Sequence, residues 1–234
     1  MSIIEDFLSK YTEIETFIRN KNQHTNNDKI DILEDRAIQK KLEIWKFYKS
    51  LRNLLTHQDC ARNGKFINFT DEFYRTFASE VEKIMHPQKA IDIAIPLTKI
   101  YKVTEDQKIN VVVQKMLDNN YTCTPIINKN GVVEGVFSSH SLMLYFNKHK
   151  QEIVEETANI TIGDLVEFCG LQGDADIEYK FVSRTITVNE VMDLFEKDFN
   201  KNKRLEVIFI TDNGKQSEKV LALLTHWDLN KRQE

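Results

Sequence analysis

The sequence predicts an α+β protein: an N-terminal all-α helical bundle followed by two copies of an α/β repeat. Three observations lead there. Up to residue 86 apolar residues recur at three- and four-residue spacings, and the two longest striped runs contain neither Gly nor Pro. His86-Pro87-Gln88-Lys89 then interrupts the helical pattern and reads as a linker. Beyond it, one order of helix, strand, Gly turn, strand and helix occurs twice. The expected domains are 1–88 for the helical part, 89–150 for the first repeat and 151–234 for the second.

In the helical part, Ile3 to Arg19 carries Ile4, Phe7, Leu8, Tyr11, Ile14, Phe17 and Ile18 at helical spacing. Asn20 to Asn27 is a polar breaker. A longer helix is expected from Asp31 to about Thr56, striped by Ile38, Leu42, Trp45, Tyr48, Leu51 and Leu55. Asp59 to Phe69, with Gly64, reads as a loop. Thr70-Asp71-Glu72-Phe73 is an N-cap sequence for a helix running to Met85, and Pro87 ends it.

The repeat sets the remainder. Ile91 to Ile95 and Ile100 to Val103 are short strand-like runs, followed by a helix from Ile109 to Asn119, strands at Thr124 to Asn128 and Val132 to Ser138, and a helix from His140 to Lys148. Glu152 to Asn159 is a charged connector, and Ile160 to Val166 re-enters apolar packing. Ile126-Ile127-Asn128-Lys129-Asn130-Gly131 matches Phe209-Ile210-Thr211-Asp212-Asn213-Gly214 at an offset of 83, and Val133 to Leu142 matches Val220 to Leu229 at 87. The difference of four is the insertion Lys215 to Glu218. Each repeat is expected to form one sheet packed on two helices, the two sheets pairing to enclose a cleft of the kind that takes small ligands.

Each repeat ends a strand at a helix start: Ser138-Ser139-His140-Ser141 in the first, Thr225-His226-Trp227-Asp228 in the second. In structural terms the second is a capping box, which predicts Thr and an acid with no ligand involved. In functional terms, a helix start opening on a cleft offers N–H groups and partial positive charge to a phosphate, and a nearby carboxylate can accept ribose hydroxyls. These residues resemble the CBS domain, and two in tandem resemble a Bateman module, over roughly Ala90 to Arg232. The resemblance implies an adenosine-type nucleotide (AMP, ADP, ATP or similar) as regulatory ligand, with Thr225, Asp228 and Ser138 as its ligand-binding residues. The sequence departs from that pattern twice: Ser141 stands where the first acid belongs, and Ala222 where the second motif has Gly.

Leu51-Arg52-Asn53-Leu54-Leu55-Thr56-His57 closes the long helix. Five residues turn a helix by about 140° beyond a full turn, so Arg52 and His57 share no face unless the last turn unwinds. An exposed Arg and a His at a helix C-terminus is the common structural reading. The Arg-Asn-x-x-x-His motif in an all-α domain resembles the HEPN domains of toxin and antiviral ribonucleases. That resemblance implies metal-independent cleavage of RNA, not DNA, in a homodimer, with Arg52 and His57 catalytic and Asn53 positioning. The chemistry suits the residue types: an arginine fork can hold a phosphate as charge develops on it, and an imidazole can move the 2′-hydroxyl proton.

Composition bounds the rest. The 234 residues are 41% hydrophobic and 29% charged, ordinary for a folded soluble chain. Residues 1–90 hold 15 Lys and Arg against 14 Asp and Glu, and the remainder 17 against 22, so no basic patch argues for nucleic acid by charge. No secretory leader or 18-residue uncharged span is present, so a cytoplasmic protein without a membrane partner is expected. Cys60, Cys123 and Cys169 are isolated, and His86, His140, His149 and His226 lack acid or Cys partners at ligand spacing, so no metal is expected. The sequence therefore reads as a nucleotide sensor controlling an endoribonuclease, the alternative being a non-catalytic sensor whose helical domain docks a partner.

Overall fold

Nineteen residues, Ile3–Lys21, form α1, whose Ile4, Phe7, Tyr11, Ile14 and Ile18 are buried. The computed structural model describes residues 2–21, 31–57, 67–149, 159–172, 177–198 and 204–230. The chain divides into two compact units, Met1–Gln88 and Lys89–Glu234. The breaker at 20–27, the loop at 59–69, the connector at 152–159, the 150/151 boundary and Cys60 lie wholly or largely outside the described residues.

In the first unit the long helix expected from Asp31 is broken into pieces. A 3-10 turn, Ile32–Glu34, is followed by α2 (Arg36–Gln39) and α3 (Leu42–His57). Aspartates set the first two starts, and the chain turns again at Lys40 and Lys41 before α3. Asp31 accepts from the Leu33 N–H at 3.0 Å and Asp35 from the Ala37 N–H at 2.9 Å, each capping a new start, and Asp35 is extended at φ −64°, ψ 133°. Thr70 caps α4 (Asp71–Met85) by accepting the Phe73 N–H at 3.1 Å. The core is aromatic. Phe77 sits 4.6 Å from Phe7 and 4.8 Å from Tyr48, ring centre to ring centre, and Trp45 packs against both Tyr48 and Phe77.

The second unit holds β1 (Ile95–Pro96), α5 (Ile109–Asp118), β2 (Cys123–Ile127), β3 (Val133–Ser138) and α6 (Ser139–Lys148). After the 3-10 segment Gly163–Phe168 come β4 (Ile177–Ser183), α7 (Val188–Asp198), β5 (Arg204–Thr211), β6 (Ala222–Leu224) and α8 (His226–Asn230). One sheet has the order β1-β6-β5-β4, with β4 and β5 parallel; the other pairs β2 with β3. The duplication is visible in the turns: Gly131 and Gly214 both take φ +80°, the left-handed conformation these two-strand connections demand.

The repeats are not self-contained, which differs from the expectation of one sheet per repeat. β1, leading the first repeat, pairs antiparallel with β6 of the second, and the Ala90 N–H donates to the Ile186 carbonyl at 2.8 Å. Conversely, Ile162, Leu165 and Cys169 complete the first repeat's core around Val103, Val112 and Phe137. The Val136 N–H reaches the Cys169 carbonyl at 2.8 Å, and Gly135 permits the approach: a Cβ there would lie 2.6 Å from that oxygen. Between the repeats, Val133, Val136, Val207, Phe209, Val220 and Leu223 form a shared apolar cluster.

Candidate functional site: a cavity between the repeats

Ser138 ends β3 and caps α6. Its hydroxyl accepts the Ser141 N–H at 3.2 Å, and the Ser141 hydroxyl lies 3.4 Å from the Val136 carbonyl. Both serines are buried, so position 141 offers no outward acceptor. The first turn of α6 nevertheless borders a cavity of about 350 Å³ lined by Ser138, Ser139 and His140 from the first repeat and by Ile177, Arg204 and Glu206 from the second. A ten-residue helix presents its N-terminus there, where amide groups and the helix dipole favour an anion.

The strand opposite contributes charge. Arg204 is 72% exposed and its Nη2 stands 3.6 Å from Glu206 Oε1, too far for a hydrogen bond. The Glu206 side chain is only 9% exposed, and its Oε2 is buried with no partner among the described residues. A charged group so placed carries a desolvation cost that one distant cation does not offset. Burial, with the negative Glu206 beside it, pushes the Cys123 thiol up to about 12; burial likewise holds Cys169 at about 11. Both thiols therefore stay protonated near neutral pH.

At the second repeat's helix start, Asp228 Oδ2 accepts both the Thr225 N–H at 2.9 Å and the Thr225 hydroxyl at 2.7 Å. The hydroxyl here donates to the acid instead of accepting an amide. The same pairing of acid and threonine joins Thr161 to Asp164 and Thr187 to Glu190, where it caps helical turns, the Thr187 hydroxyl also accepting the Glu190 N–H at 3.3 Å. Neither Thr225 nor Asp228 lines the cavity at Ser138. Trp227 between them is 71% exposed. A second cavity, of about 360 Å³, surrounds the Asn128 to Asn130 turn, but Asn128 is spent on that turn: its Oδ1 accepts the Asn130 and Val132 N–H groups.

In the helical unit, Arg52 donates to Asn53 Oδ1 at 3.0 Å and to Glu15 Oε2 at 3.1 Å, and its guanidinium lies over the Tyr11 ring at 5.8 Å. α3 stays helical through His57, with Thr56 donating to the Arg52 and Asn53 carbonyls. The last turn does not unwind, so Arg52 and the exposed His57 remain on different faces. Glu15, Arg204, Glu206 and Ile177 were not singled out from sequence, and His140 was weighed there only as a metal ligand. For Glu206 a signal existed: it is a charge inside an otherwise apolar run, Leu205 to Ile210. Among the described residues no group of His, Cys, Asp and Glu is arranged to hold a metal, and no helix is long and apolar enough to cross a membrane.

With that geometry in view, residues 90–148 match the CBS domain family. Similar solved structures include CbpB in complex with c-di-AMP, at 15% identity and TM-score 0.48, covering 67% of this chain and 91% of that one. CBSX2 in complex with AMP gives 15% identity and TM-score 0.43, covering 62% of this chain and 94% of the other. A putative acetoin utilization protein, AcuB, from Vibrio cholerae gives 14%, TM-score 0.44, and coverage of 61% and 87%. No curated protein matches the chain.

Proposed function

We propose that the chain is a nucleotide-sensing regulatory protein whose paired repeats bind an adenine nucleotide and whose helical unit is the output. The observation that carries this reading is the cavity in which the N-terminal turn of α6 meets Arg204 and Glu206 across the repeat boundary. An anion suits the helix start and Arg204; a sugar suits the carboxylate. A ligand contacting both repeats favours whichever packing of them it fits best, which is the thermodynamic requirement for a sensor. Ser138 acts there as the cap that holds the helix start in place.

Thr225 and Asp228 form a second, weaker locus. One oxygen of Asp228 is already engaged by Thr225, which leaves the other for a ribose hydroxyl. The weaker locus is then the one whose repeat carries the motif acid. The test is thermal unfolding of the full chain with AMP, ADP, ATP and c-di-AMP. Ligand at about a hundred times its Kd adds about 2.7 kcal/mol, a rise of several degrees. An unchanged midpoint with all four contradicts the reading.

For the output, the finer reading is metal-independent RNA cleavage by Arg52 and His57, with Asn53 positioning, across a homodimer. What supports it is that Arg52 is held in place by Glu15 and Asn53, while Ile44 and Phe47 leave 40% and 54% of their surface exposed on the same helix. A second copy is required, because one chain does not join Arg52 to His57. Labelled RNA cut in EDTA to 2′,3′-cyclic phosphate ends, with Arg52→Ala and His57→Ala each lowering the rate by about 10²-fold or more, is the expected result. RNA left intact under every nucleotide leaves a non-catalytic sensor whose helical unit docks a partner.

A further inference from the structure

We infer that Glu206 is the ribose acceptor of the cavity at Ser138, supplied by the second repeat in place of the acid that position 141 of the first repeat lacks. The inference rests on the nucleotide reading above and assigns its sugar subsite.

Three independent features converge on this residue. The first is placement. β4 and β5 run in register from Ile177 opposite Arg204 and Glu178 opposite Leu205, but Tyr179 then stands opposite Val207. Glu206 is thus the extra residue of a β-bulge, a device that re-aims a side chain. On either side of it the strand resumes ordinary alternation: Leu205, Ile208 and Ile210 pack in one apolar cluster, Val207 and Phe209 in the other. The extra residue is thus the one that carries the charge, set between two apolar neighbours that keep their own clusters.

The second feature is an unmet valence. Among the described residues, Glu206 Oε2 is buried without a partner, and Oε1 has only the 3.6 Å approach of an exposed Arg204. A carboxylate accepts and never donates, so its complement is a ligand with hydroxyl or amine donors. A phosphate is repelled by Glu206 itself and suits the helix start and the exposed Arg204 instead. The third feature is polarity: the opposite wall is the start of α6, which favours an anion. A molecule with a vicinal diol at one end and a phosphate at the other satisfies both walls, and a nucleoside monophosphate has that form. The terminal torsion of a Glu side chain is broad, so rotation brings either oxygen forward to the two hydroxyls.

The test uses the full chain carrying Asp228→Ala, which silences the second locus, with AMP and 2′,3′-dideoxy-AMP as calorimetric probes. AMP is expected to bind at least tenfold more tightly than the dideoxy analogue. Adding Glu206→Gln should weaken AMP by at least tenfold and reduce the preference to less than about twofold. Adding Glu206→Asp, which keeps the carboxylate, should retain a clear preference for AMP and so separates the charge from any loss of fold. Full affinity and full preference in Glu206→Gln overturn the inference and leave the nucleotide reading standing. Failure of AMP to bind the unsubstituted chain removes both.

Discussion

Arg204 and Glu206, two residues apart on one strand, stand 3.6 Å from each other at the cavity between the repeats, one 72% exposed and the other 9%. The pair is unequal: the cation is in water and the anion is largely out of it. Without ligand, this arrangement costs stability. Glu206→Gln is therefore predicted to stabilise the free protein by about 1 kcal/mol or more. The unfolding midpoint should rise by about 2–4 °C. A lowered midpoint in differential scanning calorimetry would mean that the carboxylate is already well compensated.

The Thr225–Asp228 contact yields a different expectation. Asp228→Ala removes an acceptor from the first turn of α8, which should cost about 1 kcal/mol in stability. If binding occurs in two steps, the weaker should lose about tenfold or more while the stronger stays within about twofold. Titration calorimetry reads both at once; a weakened strong step would place Asp228 at the main site instead.

Gly135 governs how the segment around Cys169 docks on the first repeat. Gly135→Ala puts a methyl group into the Cys169 carbonyl at 2.6 Å, a backbone atom that cannot turn aside. The predicted cost is about 1–3 kcal/mol, as for other overpacked sites. Faster amide exchange at Val136, whose N–H bonds that carbonyl, is the local signature to measure.

Glu218 gives a pH test. The Asn213 side-chain amide, then the Asn213 backbone N–H, hold its carboxyl down at about 2. Because the folded value lies below the ordinary 4.5, the stabilisation of this turn is fully present above pH 4.5 and is lost as pH falls towards 2. Protection of the Asn213 amide should decline across that window in the native chain, and should show no such decline in Glu218→Gln.

Much of this architecture was legible in the residues, for physical reasons that differ by element. The offset of 83 put Gly131 and Gly214 at equivalent turns, and both are left-handed, because that conformation selects a residue type strongly. Thr70 capped its helix as its sequence indicates. The long helix expected from Asp31 differs from the structure because its apolar stripe begins only at Ile38, and Asp31 and Asp35 ahead of it cap separate turns. Exchange of β1 and the Ile162 to Cys169 segment between repeats was illegible, since local periodicity says nothing about which of two similar cores a segment joins. Glu206 escaped for a related reason: its role depends on a one-residue register shift against β4, a property of the pair of strands and not of either alone.

The most direct test of the account is hydrogen exchange of the full chain with and without saturating AMP. Slower exchange at residues 139–142 and 204–207, the two walls of the cavity, is the predicted result. Exchange unchanged at both walls, or slowed only around residues 225–229, would contradict it.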